Sequence, residues 1–454
     1  MDVIAAISTA TGNGGIGIIR MSGKECFEIL DKIFKPVNPS DAKGYSIKYG
    51  HIVDENNEIV DEVLVSYFYA PKSYTTENMC EINSHGGLVV ERKILELCLE
   101  NGAKMAEPGE FTKKAFLNGR IDLVQAESVI DLINSKSDKE AKASINQLEG
   151  KLSKNINNIK NRLLDLMADV EASIDYPEYD IEETTNNKIL NSLDIIESDL
   201  RKIGDSFKNG KVLREGIKTA IIGKPNAGKS SLLNTILNEE RAIVSETQGT
   251  TRDTIEEFVT IEGITLKLID TAGIRDTFDE IEKIGVKKSK KLIDDAELVI
   301  AIFDGTKPLE KDDIEILNLI KEKNAIILLN KIDIQNTLLD KDENVINCNK
   351  KIIKISAKNG ENIDELYRTI SDMYQINDIE IDDGEVLTNI RHKNQIDEAI
   401  NSVNKTRETI NNNMPVDIIE IYLKQVLSDL GKITGDDITE DIINEIFSKF
   451  CLGK

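Results

Sequence analysis

Cysteine and histidine are scarce in this chain of 454 residues. The five cysteines are odd in number and form no CxxC pair, so they indicate neither a disulfide framework nor a zinc site. Three histidines are too few for a histidine-rich metal centre. The cysteines are Cys26, Cys80, Cys98, Cys348 and Cys451.

Long apolar runs are also missing. No stretch approaches the ~20 apolar residues of a membrane-spanning helix. The first residues, MDVIAAISTATGNGG, carry an acidic residue at position 2 and only a short apolar run, unlike a signal peptide. The ending Cys-Leu-Gly-Lys places cysteine as a prenylation box does, but its glycine and lysine fit that box poorly. We therefore expect a cytoplasmic protein that uses no membrane.

Positive charge is in deficit. The chain has 57 Lys and Arg against 81 Asp and Glu, a net charge of −24, which repels phosphate backbones and anionic lipids. Any contact with nucleic acid must therefore be local or shared with a basic partner. Hydrophobic residues make up 40% and charged residues 30%, a globular composition. The length favours two to four domains.

The first half of the chain changes character near residue 118. Residues 1–118 have the mixed pattern of an α+β domain, whereas residues 119–213 are helical. Apolar residues recur at spacings of three and four over 145–174, which predicts one long helix ended by Pro177. A second helix is predicted near 186–207. Both apolar stripes are typical of packing in a helical bundle.

The second half contains an insertion. Residues 214–378 alternate apolar strands with helical segments, the pattern of a doubly wound parallel α/β sheet. The helical pattern returns over 379–454. We therefore expect a multidomain α/β protein in which the α/β domain is inserted into an all-α domain that is split in sequence.

The first functional motif of the inserted domain is a phosphate loop. The segment GKPNAGKS at 223–230 has the spacing of this motif, follows an apolar strand and opens a helix. Its glycines let backbone amides face the β-phosphate, Lys229 supplies a cation to the β and γ oxygens, and Ser230 offers a hydroxyl to magnesium. The predicted nucleotide contacts are Asn226, Ala227, Gly228, Lys229, Ser230 and Ser231.

Two motifs downstream are typical of segments that sense the γ-phosphate. GTTRD at 249–253 provides Thr251 as the candidate that closes on magnesium. DTAG at 270–273 follows an apolar run, so its aspartate can hold magnesium through water and Gly273 can offer its amide to the γ-phosphate. The predicted contacts are Thr250, Thr251, Asp270, Thr271, Ala272 and Gly273.

A guanine-reading motif follows another apolar strand. In NKID at 330–333, Asp333 can accept hydrogen bonds from guanine N1 and the exocyclic amine, and adenine offers no such pair of donors. The Ser-Ala-Lys segment after the next strand can place a backbone amide near guanine O6. These motifs together predict a GTPase. The predicted contacts are Asn330, Lys331, Asp333, Ser356, Ala357 and Lys358.

One position departs from the Ras-like pattern. Ras-like GTPases place a glutamine after DTAG to orient the attacking water, whereas Ile274 stands here and cannot hold water. Either hydrolysis is slow or another residue orients the water, and Arg252 is as well explained by a surface role as by an arginine finger. The acidic candidates just downstream are Asp276, Asp279, Glu280 and Glu282.

The whole chain resembles the family of tRNA uridine-modifying GTPases called MnmE or TrmE. The resemblance covers nearly the full length and includes the ending FCLGK, which few GTPases share. The other matching segments are TGNGGIGIIRMSG, SHGG, PGEFTKKAFLNGRIDLVQAE, LREG, GKPNAGKSSLLN, GTTRDT, DTAGIRD and DEIEKIG.

The resemblance implies an architecture and a reaction. It implies an N-terminal folate-binding-like domain of the aminomethyltransferase type that forms a homodimer, and a split helical domain with a Ras-like GTPase domain inserted. It also implies work with a flavin-dependent (FAD) partner, MnmG or GidA, on the C5 atom of wobble uridine in certain tRNAs. The added group is carboxymethylaminomethyl or aminomethyl, with its one-carbon unit from 5-formyl- or 5,10-methylene-tetrahydrofolate.

Residue roles are implied in the same way. Glu282 matches the glutamate that orients water, which would answer the problem of Ile274. Arginine at position 120 replaces a lysine found in some members, which keeps the charge and changes the geometry. The potassium positions are Asn226, Ser245, Thr247 and Thr250, and Ser245 also belongs to the nucleotide contacts. The formyl-tetrahydrofolate positions are Arg20, Glu81, Arg120 and Lys454.

Three alternatives stay open from the sequence. Cys451 is either a catalytic thiol near the folate or a small buried residue on a C-terminal helix. His85 in SHGG is interpreted as a structural or hydrogen-bonding histidine rather than a base. The chain could also be a regulatory GTPase of the ribosome-assembly type, without a role in modification chemistry. The folate positions and FCLGK favour the modification enzyme over that alternative.

Overall fold

The computed structural model describes residues 2–10, 12–36, 45–175, 182–238, 257–261, 263–269, 290, 292–334, 342, 345, 347–374 and 386–454. The chain folds as two units, and each is built from separate stretches of sequence. The first contains Met1–Ile133, Gln147–Ile196 and Glu398–Lys454. The second contains Asn134–Asn146 and Glu197–Asp397.

The first unit contains a seven-stranded sheet in the order β3-β4-β5-β6-β2-β1-β7. Neighbouring strands are antiparallel except β1 and β7, which are parallel. Two helices, α1 (Cys26–Ile33) and α2 (Leu88–Glu100), cover one face of the sheet. The strands are β1 Ile4–Ile7, β2 Gly17–Ser22, β3 Phe34–Lys35, β4 Ser46–Val53, β5 Ile59–Phe68, β6 Met79–Ser84 and β7 Lys104–Met105.

The opposite face of this sheet is divided. Near β1 it is covered by Phe111 and Tyr74, which pack on Ile4 and Ala6. Near β4 and β5 it carries exposed apolar side chains instead. The alternation of side chains along each strand separates the two faces, because successive residues point to opposite sides.

Helices complete the first unit. Helices α3 and α4 share an apolar cluster with the C-terminal helix α14, which includes Leu123, Phe447 and Phe450. An ion pair between Lys188 and Asp169 joins α7 to α6. The helices are α3 Glu110–Leu117, α4 Leu123–Asn134, α6 Lys151–Asp175, α7 Glu182–Asp205, α12 Ile390–Asn411, α13 Val416–Thr434 and α14 Glu440–Ser448; α7 and α12 continue into the second unit.

The predicted long helix over 145–174 is wrong at its start. Helix α5 (Asp138–Leu148) ends there, and α6 begins at Lys151. Gly150 between them has φ of 82°, a left-handed conformation that ends helices. Ile145 is 42% exposed, but the apolar stripe is correct within α6, whose buried members are Leu152, Ile156, Ile159, Leu163, Leu166 and Val170.

The second unit is a six-stranded sheet in the order β13-β12-β11-β8-β10-β9. All pairs are parallel except β9 with β10. Separate apolar cores cover its two faces, so the predicted doubly wound sheet is confirmed. The elements are β8 Ile217–Ile222, β9 Glu257–Ile261, β10 Ile264–Leu268, β11 Leu298–Asp304, β12 Ala325–Asn330, β13 Lys351–Ile355, α8 Phe207–Glu215, α9 Lys229–Asn238, α10 Lys311–Ile320 and α11 Ile363–Met373.

The segment 134–146 belongs to this second unit although its neighbours in sequence belong to the first. It carries most of α5, and Ala143 is buried in the core that covers one face of the six-stranded sheet. The stretch predicted as the first helical segment, 119–213, therefore contributes residues to both units. Within the described residues, no helix is both long and apolar enough to cross a membrane.

Candidate functional site

The phosphate loop joins the end of β8 to the start of α9, so the amides of the helix N-terminus face the loop. Gly228 has φ of 110°, and a Cβ there would lie 2.0 Å from Asn330 Nδ2, so only glycine fits. Asn226 is exposed and left-handed, with φ of 62°. The Lys229 ammonium donates to the carbonyls of Gly223 and Lys224, at 2.8 Å each, which holds its charge over the loop.

Lys224, which is part of the phosphate loop, forms ion pairs with two acidic residues. Its ammonium lies 2.7 Å from Asp313 Oδ2 and 2.8 Å from Glu310 Oε2. These two acidic residues form the capping box at the start of α10. Burial lowers the pKa of Lys224, but its hydrogen bonds to Asp313 and Glu310 outweigh that effect and raise it. The ammonium therefore stays charged and ties the phosphate loop to α10.

Asn330 joins the phosphate loop to the segment after β13. Its side chain is buried, with Nδ2 donating to the Ala227 carbonyl at 2.8 Å and Oδ1 accepting from the Ala357 amide at 2.9 Å. Both polar atoms of Asn330 are thus used within the protein. Asn330 was predicted as a nucleotide contact, and in this geometry it braces two nucleotide loops against each other.

The other guanine-side residues are placed by the same strands. Asp333 is exposed after β12, and its Oδ1 accepts a hydrogen bond from Ser356 Oγ at 2.7 Å. The Lys331 ammonium lies 2.7 Å from Asp304 Oδ2. Although burial raises the pKa of Asp304, hydrogen bonds from Lys331 and Thr306 lower it overall. Asp304 therefore stays ionised and holds Lys331 in place.

These residues converge at the carboxyl ends of parallel strands, where ligands bind in open α/β sheets. The phosphate loop follows β8. Asn330 is the last residue of β12, and the rest of the NKID motif follows that strand. Ser356, Ala357 and the exposed Lys358 follow β13. Ser230 and Ser231 lie in the first turn of α9. The remaining predicted residues lie outside the described part of the chain: Ser245, Thr247, Thr250, Thr251, Asp270, Thr271, Ala272, Gly273 and Glu282.

A second cluster forms in the first unit around Arg20. This residue lies opposite Glu81 in the register of β2 and β6. Its Nε and Nη2 lie 2.9 and 2.8 Å from Glu81 Oε1. Both side chains are largely buried, which strengthens a charged hydrogen bond. Both contacts of Arg20 with Glu81 are to Oε1, and Oε2 takes part in neither of them.

Tyr74 lies near both predicted arginines, and no sequence motif singles it out. The Arg120 guanidinium carbon is 4.8 Å from the Tyr74 ring centroid, and that of Arg20 is 6.0 Å away. Arg120 Nη1 also donates to the Tyr74 carbonyl at 3.1 Å, and the Tyr74 hydroxyl is 3.0 Å from Thr112 Oγ1. The guanidinium groups of Arg20 and Arg120 therefore both lie close to the Tyr74 ring.

The C-terminal residues reach the same cluster. Arg20 Nη1 donates to the Gly453 carbonyl at 3.0 Å, and the Phe111 amide donates to the main-chain oxygen of Lys454 at 3.2 Å. The structure thus brings together Arg20, Glu81, Arg120 and the tail that ends in Lys454. Cys451 is exposed whereas the other four cysteines are buried, so the interpretation of Cys451 as a buried residue is wrong.

His85 is an exposed histidine with an acidic partner. Its Nδ1 lies 2.8 Å from Asp61 Oδ1, and its backbone amide donates to Asp61 Oδ2 at 2.8 Å. The hydrogen bond to Asp61 raises the pKa of His85 above its usual 6.5. His85 is thus hydrogen-bonded to Asp61, which agrees with the hydrogen-bonding part of its interpretation and leaves a role as a base untested. Among the residues that the structure places, no cluster of three or more His, Cys, Asp or Glu could hold a metal ion.

The doubly wound sheet and the loops at its carboxyl edge define a GTPase. A family profile described as MnmE helical domain matches residues 123–451, and one described as GTP-binding protein TrmE N-terminus matches residues 3–120. The chain belongs to the family of the tRNA modification GTPase MnmE.

Relatives with that name match from end to end. The protein of Acetivibrio thermocellus is 49% identical over 100% of this chain and 99% of its own. Those of Finegoldia magna and Clostridioides difficile are each 48% identical over 100% of this chain, and over 100% and 99% of their own. A crystal structure of an Aquifex aeolicus Era variant bound to GDP.AlF4- aligns with 34% of this chain and 55% of its own at 32% identity. Its TM-score of 0.25 supports no structural argument.

Proposed function

We propose that this chain is a potassium-dependent GTPase that drives a modification of tRNA in the cytoplasm. With a flavin-dependent partner, MnmG, it adds a carboxymethylaminomethyl or aminomethyl group to C5 of wobble uridine in certain tRNAs. Its proposed domains are an N-terminal domain over 1–118, a helical domain over 119–213 and 379–454, and a GTPase domain over 214–378, and the second compact unit is wider than that last domain because it contains Asn134–Asn146 and Glu197–Asp397. Membership of the MnmE family supports this proposal.

One observation carries the folate part of the proposal: Arg20 in the N-terminal sheet donates a hydrogen bond to Gly453 in the C-terminal tail. The residues there fit a reduced folate. Arg20 and Arg120 offer charge to its anionic glutamate tail, the Tyr74 ring offers a flat surface, and Glu81 Oε2 offers an acceptor to a pterin N–H. A folate bound there would supply the one-carbon unit.

The nucleotide part rests on the loops of the second unit. Lys229 is held over its loop, where it would face the β and γ oxygens, and Asp333 would accept the hydrogen bonds of guanine. Ser230 and Thr251 are the proposed magnesium positions, and Asn226, Ser245, Thr247 and Thr250 the proposed potassium positions. Potassium would add positive charge beside the phosphates, where an arginine finger acts in other GTPases. Glu282 would orient the water.

Hydrolysis rates test the nucleotide part. We expect GTP to be hydrolysed much faster in potassium than in sodium at equal ionic strength. Glu282→Ala should slow hydrolysis by about 10²-fold or more while nucleotide affinity is unchanged, because a water-orienting group acts only in the transition state. Glu280→Ala is the matched control in the same acidic segment. Equal rates in both salts would contradict the potassium claim.

Binding and nucleoside analysis test the folate part. We expect 5-formyl-tetrahydrofolate to bind the full chain, and Arg20→Ala and Arg120→Ala to weaken binding about 10-fold or more, because charged hydrogen bonds are lost. Arg201→Ala removes an exposed arginine elsewhere and serves as the control. Mass spectrometry of tRNA from cells lacking this chain should show unmodified wobble uridine. Absence of folate binding together with unchanged nucleosides would favour a regulatory GTPase.

A further inference from the structure

Two side chains converge on one carbonyl in the C-terminal tail, residues 451–454. The Gly453 carbonyl accepts a hydrogen bond from Ser8 Oγ at 3.1 Å and another from Arg20 Nη1 at 3.0 Å. Ser8 lies just after β1, and its own amide donates to the Ile18 carbonyl at 2.8 Å, which fixes it to β2. The N-terminal sheet therefore holds the tail 445 residues away in sequence.

Gly453 fits this place only because it has no side chain. It is buried, with φ of 84°, a left-handed conformation that residues other than glycine rarely adopt. A Cβ on Gly453 would lie 2.4 Å from the Ile7 carbonyl oxygen and 2.9 Å from Ser8 Cα. Both obstacles are backbone atoms at the end of β1, so they cannot move aside as a flexible side chain would.

Backbone hydrogen bonds also hold Cys451 and Lys454. The Gly109 amide donates to the Cys451 carbonyl at 3.4 Å, and the Phe111 amide donates to the main-chain oxygen of Lys454 at 3.2 Å. The tail is thus attached at three of its four residues. The exposed side chain of Leu452 takes no part in these contacts.

We infer that Ser8 and Gly453 are positioning residues that lock the tail against the N-terminal sheet. The lock sets where Cys451 and Lys454 stand relative to Arg20, Glu81 and Tyr74. Arg20 then has two tasks, since it holds the tail through Gly453 and orients Glu81. This role rests on the proposed folate function, whereas the lock itself is a property of the chain alone.

Two measurements on the full-length protein test the inference separately. The first is the rate at which carboxypeptidase B removes Lys454, followed by mass spectrometry, because an anchored tail resists the enzyme. The second is the affinity for 5-formyl-tetrahydrofolate. The variants are Ser8→Ala, Gly453→Ala, the conservative Ser8→Thr and the tail control Leu452→Ala, and thermal unfolding checks that each is folded.

We expect Gly453→Ala and Ser8→Ala to speed removal of Lys454 and to weaken folate binding about 10-fold, as loss of one to two hydrogen bonds implies. Ser8→Thr and Leu452→Ala should behave as the parent chain does. Unchanged removal of Lys454 in both Ser8→Ala and Gly453→Ala would overturn the lock. Faster removal with unchanged folate affinity would overturn its role in the site. A parent chain that binds no folate contradicts the proposed function and that role, and the digestion rates alone then decide the lock.

Discussion

At the scale of single residues, Asn330 is a position of the nucleotide site where both polar side-chain atoms are hydrogen-bonded to backbone groups. Replacing it with alanine leaves the Ala227 carbonyl and the Ala357 amide without their partners. Each buried unpaired group costs about 1–3 kcal/mol. We therefore expect Asn330→Ala to weaken GDP binding by about 10-fold or more and to lower the free energy of unfolding. Fluorescence titration with a labelled GDP and denaturant unfolding measure the two effects.

Asn359→Ala is the control for that variant, because its exposed side chain donates to the Glu361 carboxylate outside the brace. It should leave both measurements nearly unchanged. If Asn330→Ala binds GDP as tightly as the parent chain, the two loops do not depend on the brace.

The pair of His85 and Asp61 predicts a pH dependence. The pKa of His85 is raised in the folded chain by its hydrogen bond to Asp61. The contact therefore stabilises the fold fully below the usual histidine value of 6.5, and that stabilisation is lost as pH rises through the higher folded value. Asp61→Asn should return the titration midpoint of His85 toward 6.5.

Proton NMR can follow this titration because the chain has only three histidines. Glu62→Gln is a useful comparison, since Glu62 contributes the smaller part of the upward shift. A midpoint that does not move in Asp61→Asn would show that Asp61 is not the cause.

The residues that could be predicted from sequence are those that belong to a short motif with fixed spacing. A phosphate loop needs its glycines, lysine and serine at fixed spacing, so Lys229 and Ser230 could be found from sequence. Tyr74 and Ser8 belong to no such pattern. Their partners lie at distant positions of the chain, and only the folded sheet brings them together.

At the scale of elements, α5 shows why helix periodicity alone misleads. Apolar residues continue at spacings of three and four across Gly150, so the stripe looks unbroken. The left-handed backbone of Gly150 turns the chain, and the Leu148 carbonyl accepts from Gln125 Nε2 at 2.8 Å. The useful signal in the sequence was the glycine itself, because glycine commonly follows the last turn of a helix.

The start of α5 is attached to the edge strand β9. The Thr260 hydroxyl donates to the Lys136 carbonyl at 3.0 Å, and the Lys136 ammonium lies 2.9 Å from the centre of the Phe258 ring. Ser137 and Glu140 cap the helix just beyond, through the Glu140 amide to Ser137 Oγ and the Lys136 amide to Glu140 Oε2. These contacts fix the start of α5 beside β9.

We expect Thr260→Val to weaken that attachment, because valine keeps the shape and β-propensity of threonine but has no hydroxyl. Loss of one hydrogen bond costs about 1 kcal/mol, so hydrogen exchange of residues 136–146 should quicken by about fivefold. Thr306→Val, which removes a hydroxyl elsewhere in the unit, is the control. Equal exchange in Thr260→Val and the parent chain would contradict the attachment.

At the scale of the whole molecule, sequence patterns predicted the kinds of domain better than their limits. The alternation of strands and helices predicted the doubly wound sheet because each buried parallel strand is a continuous apolar run. The membership of 134–146 in the second unit could not be predicted, since a helix that packs on a sheet edge has the same amphipathic pattern as one in a bundle.

We propose that the exposed part of the N-terminal sheet is the surface that binds a second copy of the chain. Ile47, Tyr49 and Leu64 share one face and are 68%, 60% and 49% exposed. Tyr49 and Leu64 lie directly opposite each other on β4 and β5. Exposed apolar side chains grouped on a sheet mark interaction surfaces, and a stable dimer buries about 800 Å² on each partner.

We expect the parent chain to be a dimer and the double variant Ile47→Glu, Leu64→Glu to be a monomer. Glutamates at the centre of a two-fold interface meet like charges from the other copy and must lose their hydration, so association should weaken by several kcal/mol. Light scattering coupled to size exclusion measures the mass, and Ile421→Glu, an equally exposed position on α13, is the control. A double variant that keeps the dimer mass would place the interface elsewhere on the chain.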